Sequence, residues 1–189
     1  MEIENLIPVK TRQELRTWLE EHAATEKFCW VVVSIKEQPG TLLYLDAVEE
    51  ALCFGWIDST KKRVSDTEVA QRLSPRQKKS NFTELNKERV LRLEKLGLMT
   101  DRGRSILPDM RPESFIIDSE IEARLKEDEQ VWQHFLHFPE PYKRIRIDTI
   151  QSSKSDPDLF NKRLEKFIEN TKKNKLYGQW HDNGRLIDY

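Results

Sequence analysis

The chain has 189 residues, 34% of them charged and 37% hydrophobic, with five Trp, eight Phe and four Tyr and a formal net charge of −1. That length suits one or two domains, and the aromatic content supplies a core that a disordered chain of this polarity lacks. No run approaches the roughly 18 apolar residues of a membrane-spanning helix, so no membrane insertion is expected. The acidic opening Met1-Glu2-Ile3-Glu4-Asn5 is followed by no apolar run of signal-peptide length. Cys29 and Cys53 give no disulfide framework and too few ligands for a zinc cluster. Reduced thiols and a cytoplasmic location are the expectation. His134 and His137 are three apart but have no third ligand at matching spacing, so neither a metal nor a cofactor is expected.

In chain order, Thr11-Arg12-Gln13-Glu14 has the form of a capping box and predicts a helix to about Ala23, with Leu15, Trp18 and Leu19 on one face. Residues 28–35 are β-branched and aromatic and read as a buried strand, closed by the turn signal Pro39-Gly40. Thr41 is placed to cap a second helix, whose apolar face is Tyr44, Ala47, Val48, Ala51 and Leu52 and whose left-handed stop is Gly55. Residues 56–73 are strand-like, with a turn near Ser65-Asp66-Thr67, and predict a β-meander. Residues 74–80 form a basic loop, after which Asn81 and Glu84 resemble a capping box for a helix ending at Leu96-Gly97, and a short helix can follow Thr100.

Beyond Pro108 the pattern is wholly helical, with helices opened at Ser119, Asp128, Pro141 and Asp156-Pro157, and a polar end from Lys172 expected to dock loosely. The expected class is α+β. Residues 1–107 form a motif-bearing helix/strand/helix/β-meander/helix unit, and residues 108–189 form an all-helical region packed on it.

The charge is uneven, roughly −6 over residues 1–59, roughly +7 over 60–104 and roughly −2 thereafter. On the second helix, Asp46, Glu49, Glu50 and Cys53 fall opposite the apolar face. Carboxylates beside a thiol disfavour the thiolate, so Cys53 reads as packing unless a cation such as Arg76 or Arg89 reaches it. In a strand, Trp56 and Asp58 share a face, which would set an aromatic plate and a carboxylate along one cleft. Asp58 could equally pair with Arg76 or accept from turn amides. Arg76, Lys78 and Lys79 precede a helix N-terminus and form either an anion site or a solvated basic face. Asn86 and Arg89 interrupt the stripe Phe82, Leu85, Leu93, Leu96, which assigns them either a ligand-organising role or an internal salt bridge.

The stretches YLDAVEEALCFGWIDS (44–59), LSPRQKKSNFTELNKERVLRLEKLGLMTDRG (73–103) and VWQHFLHFPEPYKRIRIDTIQ (131–151) resemble the YdeI/OmpD-associated, bacteriocin-protection-like family. The resemblance implies an α+β region joined to a helical one, in a group of bacterial proteins with no catalytic assignment to carry over. Its name implies protection against bacteriocins or association with an outer-membrane porin, and members are described as periplasmic. The motif positions here are Glu50, Cys53, Gly55, Trp56, Asp58, Pro75, Arg76, Lys79, Ser80 and Asn86, with Asn81-Phe82 where the family has a tryptophan after Lys-Ser.

Together these readings predict a binding protein for a small anionic ligand, aromatic ones included. Trp56 would stack, Arg76, Lys79 and Arg89 would pair the anion with Ser80 beside them, and Asp58 and Asn86 would orient it. One alternative is an enzyme with Glu50 or Asp58 as general base and Arg76 or Arg89 as electrostatic stabiliser. Another is nucleic-acid binding through the basic 60–104 segment. No oligomeric state is implied.

Overall fold

The computed structural model describes residues 3–65, 68–77 and 80–189. The chain divides into two compact units, Met1–Asn81 with Arg89–Pro108 and Phe82–Glu88 with Asp109–Tyr189.

In the first unit, α1 (Arg12–His22) opens on the expected capping box: the Thr11 hydroxyl accepts from the Glu14 N–H at 3.2 Å and Glu14 Oε2 accepts from the Thr11 N–H at 3.1 Å. Then follow β1 (Cys29–Ser34), β2 (Leu42–Leu43), α2 (Tyr44–Cys53), β3 (Trp56–Arg63) and β4 (Val69–Pro75). The helix α3 (Glu84–Lys95) contains the division between the units, and the one-turn α4 (Asp101–Arg104) closes the first of them.

The sheet among the described residues runs β2-β1-β4-β3, with β1 and β2 parallel and the other pairs antiparallel. β3 and β4 form a hairpin, closed by the Val64 N–H on the Glu68 carbonyl at 2.9 Å; Asp66 and Thr67 of the expected turn lie outside the described residues. The meander stops there, because β4 returns beside β1. The sequence Cys-Trp-Val-Val-Val-Ser of β1 is buried along nearly its whole length, and a strand buried on both faces belongs inside a sheet with neighbours on both edges. Leu42 and Leu43 pair with Val33 and Ser34, which delays α2 to Tyr44; Leu43, not Thr41, precedes the helix and makes no side-chain cap.

The larger departure is α2 itself, which is buried on every side from Ala47 to Cys53. The Glu49 and Glu50 side chains are each 1% exposed. Arg12 donates from Nε to Glu50 Oε1 and from Nη1 to Glu49 Oε2, both at 2.6 Å. Arg16 Nη1 takes Glu50 Oε2 and Arg92 Nη1 takes Glu49 Oε1, both at 2.9 Å. Each of the four carboxylate oxygens thus has its own guanidinium donor. Burial pulls the Arg12 pKa down and the charges of Glu50 and Glu49 raise it, with a net rise.

At the C-terminus of α2, Thr100 Oγ1 donates to the Cys53 carbonyl at 2.5 Å and accepts from the Gly103 N–H at 3.2 Å, seating α4 on the helix end. A methyl group on Gly103 would come within 2.8 Å of the Cys53 carbonyl carbon, so glycine is required there.

The second unit holds α5 (Ser119–Lys126), α6 (Glu129–His137), α7 (Glu140–Gln151) and α8 (Pro157–Lys172), with Asp118, Asp128 and Asp156 as side-chain N-caps. Ile121, Leu125, Val131, Phe135, Tyr142, Ile147, Leu164 and Phe167 fill its core. Thr83 rather than Asn81 caps α3, its hydroxyl accepting from the Asn86 N–H at 3.2 Å. The end of the chain is not loose. Trp180 packs edge-on to Tyr142 with ring centroids 5.5 Å apart, Leu186 is buried, and the Tyr189 hydroxyl donates to Glu88 Oε2 at 3.2 Å. These anchors are scattered without a period through a polar stretch, so no helical or strand pattern announces them.

Both cysteines are free and buried. Burial, then Glu50, pushes the Cys53 thiol up to about 12 from 9.0, and burial, then Glu26, does the same for Cys29. Between those values the folded chain retains protons that the unfolded chain releases, so stability is whole below about pH 9 and falls as pH rises towards 12, by up to about 1.4 kcal/mol per pH unit per thiol. Urea unfolding of Cys53→Ala against wild type at stepped pH should show a shallower alkaline decline in the variant; parallel declines would refute the assignment. Glu50→Ala removes one carboxylate partner from each of Arg12 and Arg16 inside the buried cluster and should cost about 3–5 kcal/mol in the same assay. Glu94→Ala, at an exposed pair with Arg104, should leave the midpoint nearly unchanged.

Candidate functional site

Gly55 has φ +71, the left-handed stop that the sequence predicts, and its carbonyl accepts the Arg76 N–H at 2.9 Å. The end of α2, the start of β3 and the exit of β4 are thereby tied at one point. Trp56 pairs across the hairpin with Pro75.

Trp56 is fully buried, its indole N–H donates to the Ala23 carbonyl at 3.3 Å, and Trp18 meets it edge-on at 5.9 Å. This corrects its expected role as a stacking plate: the ring is a core residue that fastens the end of α1 to the sheet.

Asp58 is half-buried and accepts the Tyr44 hydroxyl at 2.7 Å. Arg76 is buried beside it; burial lowers the guanidinium pKa and Asp58 works in the opposite direction, while Nη1 donates to the Asn81 carbonyl at 2.8 Å. Asp58 is thus held by Tyr44 and Arg76 by the Asn81 carbonyl, with the charge of Asp58 felt at the guanidinium. Glu50 is corrected as a general base, because both its oxygens are held by arginines and none of its side chain is open to a substrate. Ser80 is half-buried with its N–H on the Gln77 carbonyl at 2.9 Å, and Lys79, like Lys78, lies outside the described residues. Arg89 is buried on α3, whereas Asn86 lies in the first turn of that helix, among the residues of the second unit.

The basic segment is largely committed to structure. Lys61 sits 4.2 Å over the Tyr44 ring, Lys62 4.9 Å over Trp30 and Arg72 4.6 Å over Phe28. Arg92 belongs to the buried cluster and Arg104 pairs with Glu94. Among the described residues no three His, Cys, Asp or Glu side chains are grouped to hold a metal ion.

One hollow of the first unit lies elsewhere, where β1 leaves the sheet. A cavity of about 400 Å³ is lined by Val32, Val33, Ser34, Ile35, Lys36, Gln38, Thr41, Lys61, Glu68 and Val69. Ser34 is 8% exposed, and its hydroxyl has no hydrogen-bond partner. The register of β3 against β4 shifts between Asp58 and Lys61, a bulge that re-aims the strand where Lys61 reaches the cavity. The sequence carries one signal for this place, the hydroxyl that breaks Val31-Val32-Val33-Ser34-Ile35 just before Lys36. An apolar wall, two ammonium groups and an unmatched hydroxyl can hold a polar ligand; among the described residues the lining carries no thiol, imidazole or paired carboxylates.

Two family models match the chain. The one described as a domain of unknown function (DUF8412) matches residues 7–106, just over half the sequence, and includes the α2–β3 motif. The one described as Bacteriocin-protection, YdeI or OmpD-Associated matches residues 114–174, over the helical unit. No curated protein and no solved structure matches. The chain therefore belongs to the DUF8412 family, and the match over residues 114–174 supports the resemblance of its helical part to the YdeI/OmpD-associated, bacteriocin-protection family.

Proposed function

We propose that this chain is a binding protein for a small anionic molecule, held in the cavity at the end of β1. The observation that carries the reading is the Ser34 hydroxyl, buried without a partner in the wall of that cavity. A buried hydroxyl left unmatched costs about 1–3 kcal/mol, and a ligand oxygen recovers that cost. Lys36 and Lys61 supply the positive charge, and Val32, Val33, Ile35 and Val69 supply an apolar wall. Glu68 on the same rim disfavours highly charged polyanions, which points to a carboxylate or phosphate monoester of modest size. Asp58 and Arg76 then serve as support: Asp58 fixes Tyr44, and the Tyr44 ring carries the Lys61 ammonium.

Thermal-shift screening against small carboxylates and phosphates tests the proposal. A hit should raise the melting temperature of wild type and lose most of that shift in Lys61→Gln. Ser34→Ala should move two readouts in opposite directions. It stabilises the free protein by about 1 kcal/mol by removing the unmatched hydroxyl, and it weakens the ligand. A hit that binds both variants as it binds wild type would place the ligand elsewhere.

A further inference from the structure

The helical unit has a hollow of its own, and its chemistry differs from that of the sheet cavity. A groove of about 420 Å³ is walled by Pro112, Phe115, Ile117, Trp132, Phe135 and Leu136, with Glu113, Glu140, Lys143 and Arg144 as its charged members. That volume is within the range of small-molecule sites, roughly 300–1,000 Å³. Trp132 stacks on Phe135 with centroids 5.5 Å apart, and Lys126 lies 4.8 Å over the Trp132 ring, so the aromatic wall is held in place. Leu136 is exposed, so the apolar lining of the groove reaches solvent there.

The cations are not equivalent. Arg144 is committed, with Nε on Glu84 Oε2 at 3.2 Å and Nη2 on Glu88 Oε1. Lys143 has a side chain only 11% exposed, yet its carboxylate partner, Glu140 at 2.5 Å, is 69% exposed. The same ammonium lies 3.4 Å from the Leu136 carbonyl and 5.5 Å from the Phe135 centroid. A well-covered lysine side chain is here neutralised by a glutamate standing largely in water. Glu140 gives up little by moving away, since an ion pair whose carboxylate stands in water adds little stability.

We infer that this groove is a binding site for an apolar monocarboxylate, whose hydrocarbon or aromatic body lies against Phe115, Trp132, Phe135 and Leu136 while its carboxylate replaces that of Glu140 on Lys143. Glu113 in the same lining sets the charge limit, since a second negative group on the ligand would meet a like charge. All the lining residues belong to the second unit, so the inference does not rest on the sheet cavity.

The test uses the full chain, with decanoate and 2-naphthoate as probes and 1-decanol as the uncharged control, read by titration calorimetry and melting temperature. Decanoate and 2-naphthoate should bind at one site per chain, with decanol at least tenfold weaker than decanoate. Lys143→Met should cost decanoate at least tenfold in affinity and abolish its advantage over decanol. Leu136→Asp should weaken both acids with the fold intact by circular dichroism. Should Lys143→Met fail to fold, Glu140→Gln decides the matter: it removes the competing carboxylate and should tighten decanoate several-fold. Equal binding of decanol and decanoate, no binding of either acid, or weaker decanoate binding in Glu140→Gln would overturn the inference.

Discussion

Everything in the α+β unit is arranged around two consecutive carboxylates that have no access to water. Glu49 and Glu50 are neighbours on α2, so they leave the helix about 100° apart and no single cation on one side can serve both fully. Arg12 spans the gap with its planar fork, and the remaining oxygens are taken by Arg16, one turn further along α1, and by Arg92 of α3. Three helices are thereby placed around one another to within hydrogen-bond tolerance. A hydrophobic substitute could match such a cluster in stability, but an apolar contact tolerates sliding and a set of directed ion pairs does not. The helical unit applies the same device with the charges exchanged, setting Arg144 between Glu84 and Glu88, one turn apart on α3.

Most local chemistry was legible in the sequence, the caps read at Thr41 and Asn81 excepted, and distant pairing was not. The capping box at Thr11, the caps at Asp128 and Asp156 and the left-handed Gly55 all depend on residues within four positions of each other, and all are present. The order of the strands depends on which strand is covered on both faces, and local alternation underdetermines that. For α2 the amphipathic pattern pointed the wrong way. Glutamates opposite an apolar stripe read as a solvent face, and only arginines 34 or more positions away turn that face into core. The strand parity of Trp56 and Asp58 was readable, but not the depth at which each lies.

The charge excess of the middle segment also changes meaning once its side chains have addresses. Lysines and an arginine laid over Tyr44, Trp30 and Phe28 set their charged ends against aromatic faces. A cation used in this way still contributes to the field around the molecule, but its position answers to the ring beneath it. The parts best suited to recognition are therefore those where polarity and shape disagree, such as a hydroxyl inside a valine strand or an ammonium under an aromatic wall.

The two thiols show what burial does to a residue that looks reactive. Enclosed by the sheet and α2 and kept protonated far above neutral pH, neither is available to an oxidant, an alkylating reagent or a soft metal while the fold persists. Free and buried, the two thiols act as small packing residues, so the cysteine content carries no record of the compartment in which the chain works.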